Sequence, residues 1–206
     1  MQLEINKRML ILCEDAKSSQ YYFNSFKQDE ELKRKLAAVS IEVYKPENHS
    51  PLGLVMEAKR RKQKAKKEGN PFDEIWVIPD RDGHAKIPEA YDMALANRIE
   101  FCISVVCFEY WVLLHFEKTT KSFDNCDDII NYIESKHYKE YSKNKNCFMD
   151  LKKLIPDAIK NGFWLHQQIK TDIDNGKKGY QINPYTDIHK LVDKLYYPEK
   201  YLSTKK

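Results

Sequence analysis

The chain has 206 residues, of which 42% are hydrophobic and 32% charged, with a formal net charge of +4. That balance supports one packed domain, or a core with a smaller appendage, and excludes a disordered or low-complexity chain. The positive charge is local: residues 59–67, KRRKQKAKK, carry seven basic side chains and no acid, so the rest of the chain is net negative.

In chain order, RMLILC (8–13) reads as a buried strand and SSQYYFNSFKQDEELKRKLAA (18–38) as a helix, with Ser18 or Ser19 at its N-cap. VSIEVY (39–44) alternates and is short, which predicts a second strand. Residues 50–69 predict a helix, opened by Pro51 and closed by Gly69. EIWVIP (74–79) is a strand, PEAYDMALANR (88–98) a helix, EFCISVV (100–106) a strand and FEYWVLLHFE (108–117) a helix. This alternation predicts an α/β fold, a mostly parallel sheet covered by helices, and the near-continuous apolar strands fit burial on both faces. Beyond residue 118 the sequence reads as helices joined by polar loops, with no further clear β unit. The expected division is a core over 1–118 and a helical extension over 119–206 packed on it.

Five cysteines, Cys13, Cys102, Cys107, Cys126 and Cys147, include no C-x-x-C pair, so neither a zinc knuckle nor a thioredoxin-type motif is indicated. Cys13, Cys102 and Cys107 lie in apolar runs and read as small buried hydrophobes, which predicts a reducing, cytoplasmic setting. The apolar N-terminal run is too short for a signal peptide, and ISVVCFEYWVLLHF is too short and too polar to span a bilayer.

Three predicted strands run into acids: Glu14 after the first, Asp80 and Asp82 after the third, Glu109 after the fourth. In a parallel sheet these ends share one edge, where open α/β folds bind ligands. In an extended segment Asp80, Asp82 and His84 point the same way. Carboxylates gathered at one edge repel unless a cation neutralises them, and hard oxygen ligands suit Mg²⁺ or Mn²⁺. A single acid after a strand is equally an ordinary turn or cap residue; the conjunction on three strands favours a metal site. A phosphoacceptor receiver domain also collects acids at strand ends, but no fifth strand ending in lysine is found here.

The stretches CEDAKSSQYYFNSF, VIPDRDGH, SVVCFEYWVLLHFE and INPYTDIHKLV together resemble the RloB-like proteins, which carry a TOPRIM-type (topoisomerase–primase) domain. The resemblance covers most of the chain. It implies a TOPRIM-like Rossmannoid sheet flanked by helices, with Glu14 as general acid/base and metal ligand and Asp80 and Asp82 as metal ligands. Glu109 falls on an acidic position of the pattern and joins the catalytic set; His115 falls on its histidine. The resemblance also implies metal-dependent cleavage of RNA, in some relatives tRNA, or of DNA, in bacterial anti-phage defence, often beside an ABC-type ATPase partner. The first motif of the family usually reads Cys-Glu-Gly-Glu-x-Thr-Glu; here Asp15, Ala16 and Ser19 stand in place of the glycine and two glutamates.

Supporting candidates around the acids are His84, His115 and Lys17. His84 reads either as a partner of a phosphate or metal-bound water, or as a solvent-exposed turn residue. His115 lies in an apolar helix and fits a hydrogen-bonded core histidine better than a ligand. Lys59, Arg60, Arg61, Lys62 and Lys64 are the candidate nucleic-acid contacts, against the alternative of a solvated helix face. Lys–Tyr stretches at 135–145 and 175–185 offer rings for stacking on unpaired bases, a common loop composition in its own right. The two functional classes are a Mg²⁺- or Mn²⁺-dependent nuclease and a non-catalytic nucleic-acid- or partner-binding subunit of an ATPase-containing complex. No membrane association is expected, and homo-oligomerisation is left open.

Overall fold

The computed structural model describes residues 7–15, 17–36, 39–44, 50–81 and 85–202; Asp82 and His84 lie outside these residues. The first part of the chain runs β1 (Lys7–Cys13), α1 (Ser18–Gln28), α2 (Glu30–Lys35), β2 (Val39–Tyr44), α3 (Pro51–Lys67), β3 (Glu74–Ile78), α4 (Ile87–Ala96) and β4 (Glu100–Phe101). The sheet order is β2-β1-β3-β4, with every neighbouring pair parallel. Alternation along β1 and β3 divides the core as a two-residue period requires. Met9, Ile11, Cys13, Trp76 and Ile78 enter one cluster. Leu10, Leu12, Ile75 and Val77 enter the other. Each fully buried Leu, Ile or Phe contributes about 1.5–3 kcal/mol of apolar burial, so both faces are strongly specified.

The smaller cluster is closed by α3 and α4 through Leu54, Val55, Ala58, Ala90 and Ala94. Helix α3 starts as its sequence directs: the Ser50 hydroxyl accepts a hydrogen bond from Gly53 N at 3.1 Å and Pro51 occupies the first turn. The single helix expected over 18–38 is two. Asp29 is extended (φ −64°, ψ 126°) and its carboxylate accepts from the amides of Glu31 and Leu32, restarting the chain as α2. Capping by Asp competes with helix continuation here, and Lys152 bonds the same carboxylate at 2.8 Å.

The rest of the chain forms β5 (Ser104–Val105), α5 (Glu109–Leu113), α6 (Cys126–Lys136), α7 (Phe148–Leu151), α8 (Ile155–Gln168), α9 (Lys170–Asp174), β6 (Tyr185–Thr186), α10 (Ile188–Tyr196) and α11 (Glu199–Leu202). Phe148, Leu151, Ile155, Leu191 and Val192 share the larger cluster with Tyr22, Phe23 and Phe108, so residues beyond 118 complete the core on that face.

Three further sequence expectations need correction. The strand expected over 100–106 breaks: β4 keeps only two residues beside β3, and β5 turns to pair antiparallel with β6, Ser104 opposite Thr186 and Val105 opposite Tyr185. The late segment therefore does contain a strand, too short to carry a period. It is fixed by the Ser104–Thr186 hydroxyl contact of 2.6 Å and by Asp187 N donating to Ile103 O at 3.0 Å. Cys107 is also more than a packing residue. It is disulfide-bonded to Cys126, 19 positions on, because the turn into α5 and the start of α6 meet. Cys13, Cys102 and Cys147 are free and buried. Among the described residues no helix is long and apolar enough to cross a membrane.

Candidate functional site

From β1 the chain moves outward to β2, then returns to place β3 on the other side of β1. The connections leaving β1 and β3 therefore diverge, and such a reversal leaves a crevice at the carboxyl ends of the two strands. Glu14 follows β1 directly, with its amide donating to Ile78 O at 3.1 Å. Asp80 follows β3 by two residues, its amide donating to Glu14 Oε2 at 3.1 Å. Asp80 also forms a parallel bridge with Ser104, and its Oδ1 accepts from Phe108 N at 3.0 Å. One aspartate thus ties the end of β1 to the start of α5.

Glu109 opens α5 and is fully buried. Its Oε1 receives the Ser18 hydroxyl at 2.8 Å and the Tyr141 hydroxyl at 3.2 Å, and Lys143 Nζ lies 3.4 Å from Oε2. Ser18 Oγ is also 2.9 Å from Asp15 Oδ2, and Asp15 in turn holds the Ser19 amide at 3.2 Å and the Ser19 hydroxyl. A serine hydroxyl has one proton, so it cannot donate to both carboxylates at once. Ser18 is therefore shared, its single proton serving one of the two carboxylates at a time and coupling Glu109 to Asp15. Burial pushes the Glu109 carboxyl above its ordinary range, against the lowering effect of Lys143 and Ser18. Cys126 Sγ sits 3.1 Å from Glu109 Oε2; as a disulfide sulfur it has no proton to give, and the approach is a packing contact.

Asp80 is the focus of the electrostatics. Desolvation raises its pKa well above the carboxylate range, and the charges of Glu109, Asp15 and Glu14 raise it further, with Lys143 acting the other way. Glu14, Asp15, Asp80 and Glu109 therefore form one interacting acidic edge. Within it no three of these acids bring ligand oxygens within 4.8 Å of one another; among the described residues the group that does is Cys107, Glu109 and Cys126, whose sulfurs are committed to the disulfide. The donor set nevertheless fits a hard divalent cation. Mg²⁺ typically takes one or two carboxylates and completes its shell with water and substrate phosphate instead of a closed protein cage. The raised Asp80 pKa is the response expected of a desolvated acid crowded by like charges that Lys143 only partly offsets.

The remaining sequence candidates separate. His115 is buried away in the aromatic core: its Nδ1 lies 3.0 Å from Trp111 O and its Nε2 3.2 Å from the Tyr22 hydroxyl. That pattern assigns the proton to Nδ1, and burial pushes its pKa down to about 4. Lys17 is exposed at the start of α1, where its carbonyl accepts from Tyr21 N at 2.7 Å. On α3, Arg60 and Arg61 both bind Glu57, at 2.7 and 2.8 Å, and Arg61 also covers the Tyr44 ring. Lys62 donates to Asn97 O at 2.6 Å, and Lys64 stands 3.7 Å from Glu68. Acids flanking the basic run, Glu57 and Glu68, thus neutralise part of it; Lys59 is partly buried on the same helix.

The site residues that sequence reasoning did not assign are Asp15, Ser18, Tyr141 and Lys143. Asp15 carried a signal, an acid beside Glu14. Tyr141 and Lys143 lie in the Lys–Tyr stretch at 135–145, whose composition gave no reason to connect it with Glu109.

Fold and site together define an α/β protein with a partly buried acidic cluster at the strand-reversal crevice of a parallel sheet. The chain matches the family model described as RloB-like protein over residues 9–195, and it belongs to that family. No curated protein is significantly similar to it.

Proposed function

We propose that this RloB-like protein is a metal-dependent nuclease built on a TOPRIM-type sheet, hydrolysing phosphodiesters of RNA, such as tRNA, or of DNA in anti-phage defence under the control of an ABC-type ATPase partner. The observation that carries the reading is Asp80: a desolvated carboxyl whose pKa is raised by three neighbouring acids at the crevice. Perturbed acids clustered in a cleft are the usual signature of catalytic groups. Glu14 and Asp80, with Asp82 beyond the described residues, would hold Mg²⁺ or Mn²⁺. When bound, such a cation polarises a phosphoryl oxygen and stabilises the charge that develops on it.

The chain's own groups divide the remaining work. Glu14, held by the Asp80 amide, serves as general acid/base for the attacking water and the leaving oxygen. Phe108 N fixes one Asp80 oxygen, which orients the carboxylate. Glu109, linked through Ser18 to Asp15, holds the start of α5 against the acidic edge from its buried position. The test is incubation of purified protein with Mg²⁺ or Mn²⁺ and a panel of tRNA, ribosomal RNA, plasmid and single-stranded DNA, with and without an ATPase encoded beside it. Cleavage by wild type that is lost in Asp80→Asn supports the reading; equal cleavage by both removes Asp80 from the chemistry.

A second reading rests on a specific observation. Glu14, Asp80 and Glu109 each already accept hydrogen bonds from protein donors, as they would in a non-catalytic nucleic-acid-binding or ATPase-binding subunit. Metal-dependent release of new 5′ or 3′ ends separates the two.

A further inference from the structure

The loop from His137 to Cys147, between α6 and α7, reaches across to the acidic edge. Tyr141 is 3% exposed and places its hydroxyl on Glu109. The loop is pinned on its far side, where Asn146 Nδ2 donates to Ser25 Oγ at 2.8 Å and Asn146 Oδ1 receives Phe148 N at 3.1 Å. Between these anchors stands Lys143. Its side chain is 30% exposed, yet its ammonium faces a carboxylate that is wholly buried.

Three features separate this lysine from a structural counterion. The 3.4 Å separation from Glu109 is long for a charge-assisted hydrogen bond, which closes to about 2.7–2.9 Å, so Lys143 is held loosely. Glu109 has two further donors, the Ser18 and Tyr141 hydroxyls, both on Oε1, so Lys143 is not its sole partner. Its flexible stem and three donors suit a mobile point charge seeking a phosphate oxygen.

We propose that Lys143 is a substrate-phosphate-binding residue of this edge, presented by the 137–147 loop, and that its contact with Glu109 is the position it occupies before a metal ion and a phosphodiester enter. The inference rests on the nucleic-acid-cleaving reading given above. It makes the loop part of the site, with Tyr141 as a positioning residue that keeps Glu109 turned toward Ser18. Against Glu109, Lys143 brings a positive charge to the acidic edge; a divalent cation held by the acids would supply that charge in its place and leave the ammonium for a substrate phosphate.

The test compares wild type with Lys143→Met and Lys143→Arg, the arginine preserving charge. Mn²⁺ affinity is read from melting-temperature titrations. Affinity for a mixed-sequence single-stranded RNA and its DNA counterpart is read in Ca²⁺ across a salt series. The expected result is that Lys143→Met folds, binds Mn²⁺ as tightly as wild type or more tightly, and loses about tenfold in oligonucleotide affinity. Its log K against log salt slope should flatten by about one, and Lys143→Arg should recover most of the loss. Unchanged oligonucleotide affinity and slope in Lys143→Met overturn the proposal, as does loss of Mn²⁺ binding together with a lowered melting temperature, the mark of a structural counterion. If wild type binds Mn²⁺ and oligonucleotide but cuts neither nucleic acid, the nuclease reading fails, while the binding comparison still decides the role of Lys143. If wild type binds neither probe, both readings fall.

Discussion

Strand β3 begins at Glu74 and leads to Asp80, and the two acids live under opposite rules. Glu74 is drawn inward too, and burial alone would raise its pKa, but the Lys7 ammonium at 2.5 Å, the Trp76 indole N–H and Lys194 at 3.1 Å pull it below the ordinary range. Asp80 meets desolvation with three more acids in place of two lysines, and its pKa is driven up. The Glu74 end is neutralised within the fold. The Asp80 end is left short of positive charge, which a fold tolerates where a ligand supplies it. The difference between the ends of one strand, more than the presence of acids, marks the candidate site.

The largest effect that would break this comparison is on activity. Asp80→Asn should reduce cleavage on the order of a thousandfold while leaving the metal-free melting temperature unchanged or raised, since one repelling charge is gone. Assays of both quantities on the same preparation check it; a less stable, fully active variant would make Asp80 an ordinary structural acid. The disulfide is next. Cys126→Ser should lower stability by about 3 kcal/mol, the value for a closed loop of this order, and denaturant titration of the reduced and oxidised wild type should reproduce most of that difference.

At the opposite end, Glu74→Gln should destabilise by about 1–2 kcal/mol, because two lysines lose their common partner. The pH dependence then has opposite signs at the two ends. Glu74, with a lowered folded pKa, contributes stability that is present above its unfolded pKa and is lost as pH falls through the folded value. Asp80 and Glu109, with raised folded pKa values, bind more protons folded than unfolded, so their penalty grows as pH rises from the carboxylate range through their folded pKa values. Melting temperatures measured without metal should therefore rise on mild acidification before falling in stronger acid. Mg²⁺ at neutral pH should raise the melting temperature in wild type and not in Asp80→Asn.

The smallest effect belongs to α3. Replacing Arg60, Arg61 and Lys64 with Gln should flatten the salt dependence of nucleic-acid binding by about one or less, since Glu57 already holds both arginines. Cleavage at saturating substrate should be unchanged.

Much of this was legible beforehand, and the reasons are physical. The apolar runs at 8–13 and 74–79 are buried on both faces, so they had to be central strands, and acids following them had to share an edge. Glu14 and Asp80 followed from that alone; Glu109 was expected after a strand over 100–106 that in fact breaks, and it lies in the first turn of α5. The pairing of β5 with β6 was not legible, because two residues on each side carry no period and the partners lie 82 positions apart. The Cys107–Cys126 bond matches no spacing motif. Tyr141 and Lys143 reach Glu109 through a tertiary approach of α6 and α7, which no local pattern encodes. The break at Asp29 was hidden inside a good helical composition, and Lys152, which also bonds its carboxylate, lies 123 positions away.

The β5–β6 ribbon has a consequence for the order in which the protein comes into being. Ser104, which bridges Asp80, is itself clasped by Thr186. During synthesis β1, β3 and their acids leave the ribosome long before Thr186 does. A nascent chain can lay down its parallel sheet early, yet Ser104 stays unclasped until the last stretch of the described chain has emerged. The acidic edge is thus finished last, and a chain cut short before residue 186 would carry its acids without the clasp that sets them.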